Sequence, residues 1–104
     1  SIEEEIEAGL ALTGTEVKSL RQGRANIADA FASEQGEELW LFNASIEAYG
    51  QGGHFNHEPK RPRKLLLHKK QIKKLAGRLK NKGVTLVPLS LYFNARGIAK
   101  VKMG

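Results

Sequence analysis

Residues 84–103 read VTLVPLSLYFNARGIAKVKM, and this stretch decides the fold. Val87, Leu89, Leu91 and Phe93 share one parity, the period of a strand with one buried face. Asn94-Ala95-Arg96-Gly97 supplies the residues of a hairpin turn. In the returning run from Ile98 to Met103, Ala99, Val101 and Met103 lie on one face and Lys100 and Lys102 on the other. The predicted hairpin is therefore apolar inside and cationic outside. Pro88 has no N–H for a ladder, which predicts an edge position or a bulge.

Immediately upstream, Pro59 to Gly83 reads PKRPRKLLLHKKQIKKLAGRLKNKG, with eleven Lys and Arg and no acid. Arg61 to Leu67 begins extended, because Pro62 disfavours helix at Arg61. From about Lys69 the pattern turns helical: Ile72, Leu75, Ala76 and Leu79 fall on one arc and lysines fill the rest of the circumference. Gly83 ends this helix. Most of its lysines read as a solvated face. Arg61 and Arg63, planar forks at a loop or strand end, are the better candidates for phosphate contacts.

In the first half, Ile2, Ile6, Ala8, Leu10 and Leu12 alternate with Glu3, Glu5 and Glu7, predicting a half-buried strand with a solvated acidic face. Thr13 and Glu16 have capping-box spacing, and Val17 and Leu20 form an apolar i, i+3 pair before Gly23. That predicts a two-turn helix, too short to stand without a sheet to pack on. Lys18, Arg21 and Arg24 cluster there. Ile27 to Ala32 reads as a strand with small residues inside, Ser33 to Gly36 as a turn, and Leu39 to Phe42 as a strand buried on both faces. Trp40 and Phe42 read as core before they read as base-stacking platforms. Ser45 to Tyr49 is a further short strand, and residues 49–63 form a loop. The elements amount to five or six short strands and two helices without repeating βαβ units. The expectation is one domain over 1–104, mainly β: an antiparallel OB-fold-like closed barrel with two or three flanking helices.

Charge bounds the function. Residues 1–58 carry all eleven acids against Lys18, Arg21 and Arg24, whereas residues 59–104 carry fourteen bases and no acid, so the net +6 conceals a strong asymmetry. A pI near 9.8 fits a polyanionic partner, with nucleic acid leading. No apolar run reaches the roughly 20 residues of a membrane span, so no membrane partner is expected. The chain contains no cysteine. His54, His57 and His68 lack the spacing and support of a metal site, and the acids sit away from them, so no catalytic residue, metal or cofactor is expected. The protein reads as a cytoplasmic, non-enzymatic monomer.

The residues also carry a family likeness. Glu7-Ala8-Gly9, Leu12 to Arg21 (LTGTEVKSLR), Gly23 to Ile27 (GRANI), Arg63 to His68 (RKLLLH), Pro88 to Tyr92 (PLSLY) and Lys100 to Gly104 (KVKMG) resemble small protein B (SmpB), the bacterial tmRNA-binding family. The resemblance spans essentially the whole chain. It implies an OB-type barrel that binds the tRNA-like domain of tmRNA near the elbow of its D and T arms. It further implies delivery to stalled ribosomes for trans-translation and tagging of the nascent chain. By position it implies Glu7, Lys18, Arg21, Arg24, Asn26, Lys64 and Leu66 as RNA-binding residues; Arg61, Arg63, Lys100 and Lys102 join them on charge alone. A carboxylate accepting from base amino groups and an apolar side chain packing on an unstacked base give Glu7 and Leu66 their expected roles. The basic segment before the first strand and the long basic tail usual in the family are absent, so the chain reads as a core domain. The alternative is a ribosome-associated OB-fold protein that binds structured rRNA or tRNA by charge.

Overall fold

Thr13 starts the first helix as its spacing predicts: its hydroxyl accepts from the Glu16 amide while the Glu16 carboxylate accepts from the Thr13 amide, a complete capping box. Helix α1 (Gly14–Arg21) follows strand β1 (Ile6–Leu10). It ends before Gly23, whose φ of 72° suits glycine. In this computed structural model the described residues are 5–81 and 83–104. The expected strand start at Ile2, together with Glu3 and Glu4, lies outside them, as does Lys82.

The chain continues through β2 (Ala25–Asn26), β3 (Phe31–Gln35), β4 (Glu38–Phe42), β5 (Ser45–Ile46), a 3-10 turn at Gly53–Phe55, β6 (Arg63–Leu66), helix α2 (Lys69–Asn81), β7 (Pro88–Phe93) and β8 (Ala99–Met103). Among the described residues, six strands form one antiparallel sheet in the order β3-β4-β6-β1-β8-β7, and β2 pairs with β5 in a separate two-stranded ribbon.

The sheet curls into a half-barrel rather than the expected closed barrel. Among the described residues its two edges meet at one isolated antiparallel bridge, Ala32 to Leu86, where the Ala32 amide donates to the Leu86 carbonyl at 2.8 Å. Pro88 explains why the contact goes no further: it has no N–H to offer β3, and the register of β7 shifts between Pro88 and Ser90. The same bulge corrects the parity reading of this strand. Beyond it Leu91 and Phe93 pair with the inward Val101 and Ala99, but Val87 and Leu89 are turned out and stand exposed.

Two boundaries also differ from expectation. Ile27 to Ala30 is a turn, closed by the Ala30 amide on the Ile27 carbonyl and by Asn26 Oδ1 accepting from the Ala28 amide. An Asn side chain that mimics the backbone outcompetes strand pairing there. Strand β3 then runs through the expected turn at 33–36, and the chain reverses at Gly36-Glu37, both at positive φ, as a two-residue hairpin requires.

The inward side chains of β4, β6 and β8, namely Leu39, Leu41, Leu65, Val101 and Met103, are sealed from solvent. Ala8, Ala30, Ala32 and Ala44 keep the strongly curved interior filled without crowding. Helix α2 closes one side by laying Ile72, Leu75 and Ala76 against the core, in contact with β3 and β4. Truncating a leucine such as Leu41 to alanine should cost about 2–5 kcal/mol.

Candidate RNA interface

Alternation fixes what the outer face of the half-barrel presents. Because Arg63 and Leu65 point inward on β6, Lys64 and Leu66 point outward; on β1 the outward residues are Glu7 and Gly9, on β8 Lys100 and Lys102, on β7 Ser90 and Tyr92. The register aligns them. Leu66, Gly9, Lys100 and Tyr92 stand in one row across four strands, with Glu7, Lys102 and Ser90 in the next.

Gly9 makes this row possible. A Cβ there would stand 3.1 Å from the Cβ of Leu66, so the missing side chain lets Leu66 lie across β1 while remaining 49% exposed. Glu7, Gly9, Lys64, Leu66, His68 and Lys100 contribute to a groove of about 450 Å³ that runs along the sheet to the start of α2. Tyr92 donates its hydroxyl hydrogen to Glu7 Oε2, and the neighbouring carboxylate holds the phenol above its usual range. Among the described residues, Lys64 and Lys102 make loose, exposed pairs with Glu38 (3.7 Å) and Glu5 (4.0 Å), weak enough to yield to a polyanion. An acid, a leucine and several cations thus share one solvent-facing surface.

The cations of α1 form a second group. Lys18 Nζ stands 5.5 Å from the centre of the Tyr49 ring, and the Arg21 guanidinium 4.6 Å from that of Phe93. These cation–π contacts orient side chains that remain exposed. Arg24 is exposed on the turn after the helix. Asn26 is exposed as well, although its Oδ1 is occupied by the Ala28 amide, which leaves its amide group to face solvent.

Two of the charge-based candidates behave differently. Arg63 is wholly buried, and its guanidinium is used up inside: Nε donates to Glu16 Oε2 at 2.6 Å, Nη1 to the Ala44 carbonyl at 2.8 Å and Nη2 to the Pro59 carbonyl at 3.0 Å. It is not a surface phosphate ligand. Arg61 grips both oxygens of the same carboxylate, at 2.6 and 2.9 Å, and is only partly exposed. Glu16 is equally buried, which adds to the helix cap that its spacing predicts. Burial pushes its carboxyl upward, but Arg61, the Thr13 amide and Arg63 outweigh that and hold it below its ordinary value. Burial likewise depresses Arg63, with Glu16 opposing. The bracket fastens α1 to β6 and thereby fixes the α1 cations relative to the sheet face.

The comparisons with known proteins cover the same ground. The SmpB protein family model matches residues 1–104. This chain belongs to the SmpB family. An SsrA-binding protein of Bradyrhizobium diazoefficiens is 59% identical over 103 residues, covering 99% of this chain and 66% of the relative. Another from Rhodopseudomonas palustris (strain HaA2) is 60% identical over 101 residues, covering 97% of this chain and 64% of the relative. This SmpB-family chain thus spans just under two thirds of the length of these relatives. Among solved structures, a chain from "tmRNA-SmpB: a journey to the center of the bacterial ribosome" superposes with a TM-score of 0.79 at 51% identity, covering 98% of this chain and 71% of that one.

Within this SmpB-family fold, the sheet face gathers Glu7, Lys64, Leu66, Lys100 and Lys102, while Lys18, Arg21, Arg24 and Asn26 stay with α1 and the turn after it. Gly9 and Tyr92 also stand on this sheet face, and the sequence reading does not select them as candidates. A glycine inside an alternating strand was the available signal for the first; for the second it was a tyrosine on the outward parity of β7. His57 is structural, bridging Thr15 Oγ1 and the Ile46 carbonyl at 2.8 Å each.

Proposed function

We propose that this chain is the core RNA-binding unit of an SsrA-binding protein. In this reading it holds the tRNA-like domain of tmRNA, near the elbow of the D and T arms, and brings it to stalled ribosomes for trans-translation. It acts in the cytoplasm as a monomeric, non-enzymatic adaptor, with residues 1–104 folding as one unit. The observation that carries the reading is the placement of Leu66 and Glu7 in adjacent rows of one cationic sheet face. Charge alone would attract any nucleic acid, whereas an apolar platform and a carboxylate acceptor reward exposed bases, which RNA loops provide and duplexes do not. Relatives at about 59% identity carry the name SsrA-binding protein, which supports tmRNA as that RNA.

Lys64, Lys100, Lys102 and the α1 cations contact the phosphates and set the register, Leu66 packs on an unstacked base, and Glu7, steadied by Tyr92, accepts from a base amino group. Gel-shift titrations test this with the tRNA-like domain against a competing excess of bulk tRNA. Leu66→Ala and Glu7→Gln should each weaken binding by a factor that changes little between two ionic strengths. Wild-type affinity in both variants, or displacement by bulk tRNA as effective as by tmRNA itself, refutes the specific reading.

A further inference from the structure

Phe55 is 89% exposed, far beyond the next large apolar side chains, Leu66 and Val84, at 49% each. It sits on the 3-10 turn Gly53–Phe55, inside a glycine-rich loop with ample freedom to tuck the ring away. The loop is nevertheless fastened on both sides of the ring. Asn56 accepts from the Tyr49 amide at 2.9 Å through Oδ1 and donates back to the Tyr49 carbonyl at 2.5 Å through Nδ2. His57, the next residue, is pinned between α1 and β5 by its two ring nitrogens. Gly52 is required beneath the turn, since a Cβ there would meet Asn56 Nδ2 at 2.7 Å and Thr15 Cγ2 at 3.1 Å. The backbone is built to hold the ring out.

We propose that Phe55 is a stacking platform for an unpaired nucleobase of the RNA partner, at a site separate from the sheet face. The proposal rests on the RNA-binding reading above and adds a contact that neither the charge pattern nor the family motifs selected. Two features favour a base over an apolar pocket of a protein. The ring is flanked along the loop by the exposed polar residues Gln51 and His54, and among the described residues none of the other exposed large apolar side chains, Leu66, Val84, Val87, Leu89 and Ile98, belongs to this loop, whereas a protein hot spot needs an apolar surround to exclude water. A base needs only one flat face and a cation to hold the adjoining phosphate. Lys18 supplies that cation: it lies over Tyr49, the residue that Asn56 clamps, and the Thr15–His57 bond ties the same loop to α1.

Filter-binding titrations of the whole chain test this against two RNAs, the tRNA-like domain of tmRNA and a small-subunit ribosomal RNA. Phe55→Ala should weaken binding to one of them by roughly 5- to 150-fold, the range expected for losing one base–aromatic stack. The RNA affected is the source of the base. Phe55→Trp should retain affinity, and Phe55→Leu should fail like alanine because a leucine has no π face. The melting temperature should stay constant in all three variants, as befits an exposed side chain. Wild-type binding of both RNAs by Phe55→Ala overturns the proposal and leaves the tmRNA reading standing. Full rescue by Phe55→Leu overturns it in favour of an apolar, protein-type contact. If the wild-type chain binds neither RNA, the tmRNA reading itself fails, and this proposal with it.

Discussion

Replacing Glu16 with glutamine isolates the bracket that joins the two candidate binding surfaces. The buried carboxylate accepts four hydrogen bonds: from the Thr13 amide at 2.8 Å, Arg61 Nη2 at 2.6 Å, Arg61 Nε at 2.9 Å and Arg63 Nε at 2.6 Å. Glutamine keeps the size but offers one acceptor oxygen in place of two. Its amide nitrogen must then face a guanidinium N–H, donor against donor, and two cations lose their counter-charge. Arg63 cannot escape to water, being fully buried. Removing one partner from a buried ion pair costs about 3–5 kcal/mol. A domain of this length has only about 5–15 kcal/mol in all. At roughly 4–8 °C per kcal/mol, the melting temperature should fall by about 12–40 °C.

Urea melts followed by far-UV circular dichroism measure this directly, with an unchanged m-value showing that the same surface unfolds. The pH dependence gives an independent check. Because the folded Glu16 carboxyl lies below its ordinary value of about 4.5, its stabilisation is complete above that value. It is lost as pH falls through the lower folded value. Wild-type stability should therefore drop steeply on the acid side, and the Glu16→Gln variant should show a shallower slope there. A loss under about 1 kcal/mol, below the cost of leaving a buried charge unpaired, together with an unaltered acid slope, would show that the bracket does not hold the fold.

Two further outcomes follow from the sheet face. Gly9→Ala puts a methyl group 3.1 Å from the Leu66 Cβ and should displace Leu66, weakening RNA binding. In a double-mutant cycle, Gly9→Ala combined with Leu66→Ala should bind no worse than Leu66→Ala alone, and simple additivity would count against the shared contact. In a Tyr49→Phe background, absorbance titration should find the remaining phenol, Tyr92, ionising above the usual range. Glu7→Gln should bring it back down, whereas an unchanged titration would mean that the two do not meet in solution.

The sequence was most legible where local rules act alone. The capping box at Thr13, the apolar arc of α2 and the β7–β8 hairpin follow from spacing, and each stands where that spacing puts it. Legibility failed where one residue had two readings. Pro88 was read correctly as an edge or bulge residue, but its consequence, that Val87 and Leu89 flip outward and the barrel stays open, depends on how the bulge re-aims the strand. Charge marks Arg63 as a surface ligand, but with Leu66 as apolar as Leu65 the sequence leaves the inner parity open, and the sheet turns Arg63 and Leu65 inward. An arginine on an inward parity requires a buried acid, and Glu16, taken only as a helix cap, was that acid.

The buried arginine and its buried acid together revise how the basic half works. Arg61 and Arg63 lie in the densest cationic stretch, yet much of their charge is turned to an internal carboxylate from the acidic half. What they accomplish is to lock α1 against β6, so that the Lys18–Arg21 group and the Leu66–Glu7 face are presented as one rigid pair of surfaces. Rigidity of this kind favours a partner of fixed shape over a flexible polyanion, since both surfaces can be engaged together only by an RNA whose own arms hold the matching geometry. The specific reading then makes a demand that the charge-only reading does not. Loosening the bracket with the milder Arg61→Met, which leaves Arg63 on Glu16, should weaken tmRNA binding more than bulk tRNA binding in parallel titrations and so lower the ratio of the two affinities, whereas an equal loss for both would count against the shared geometry.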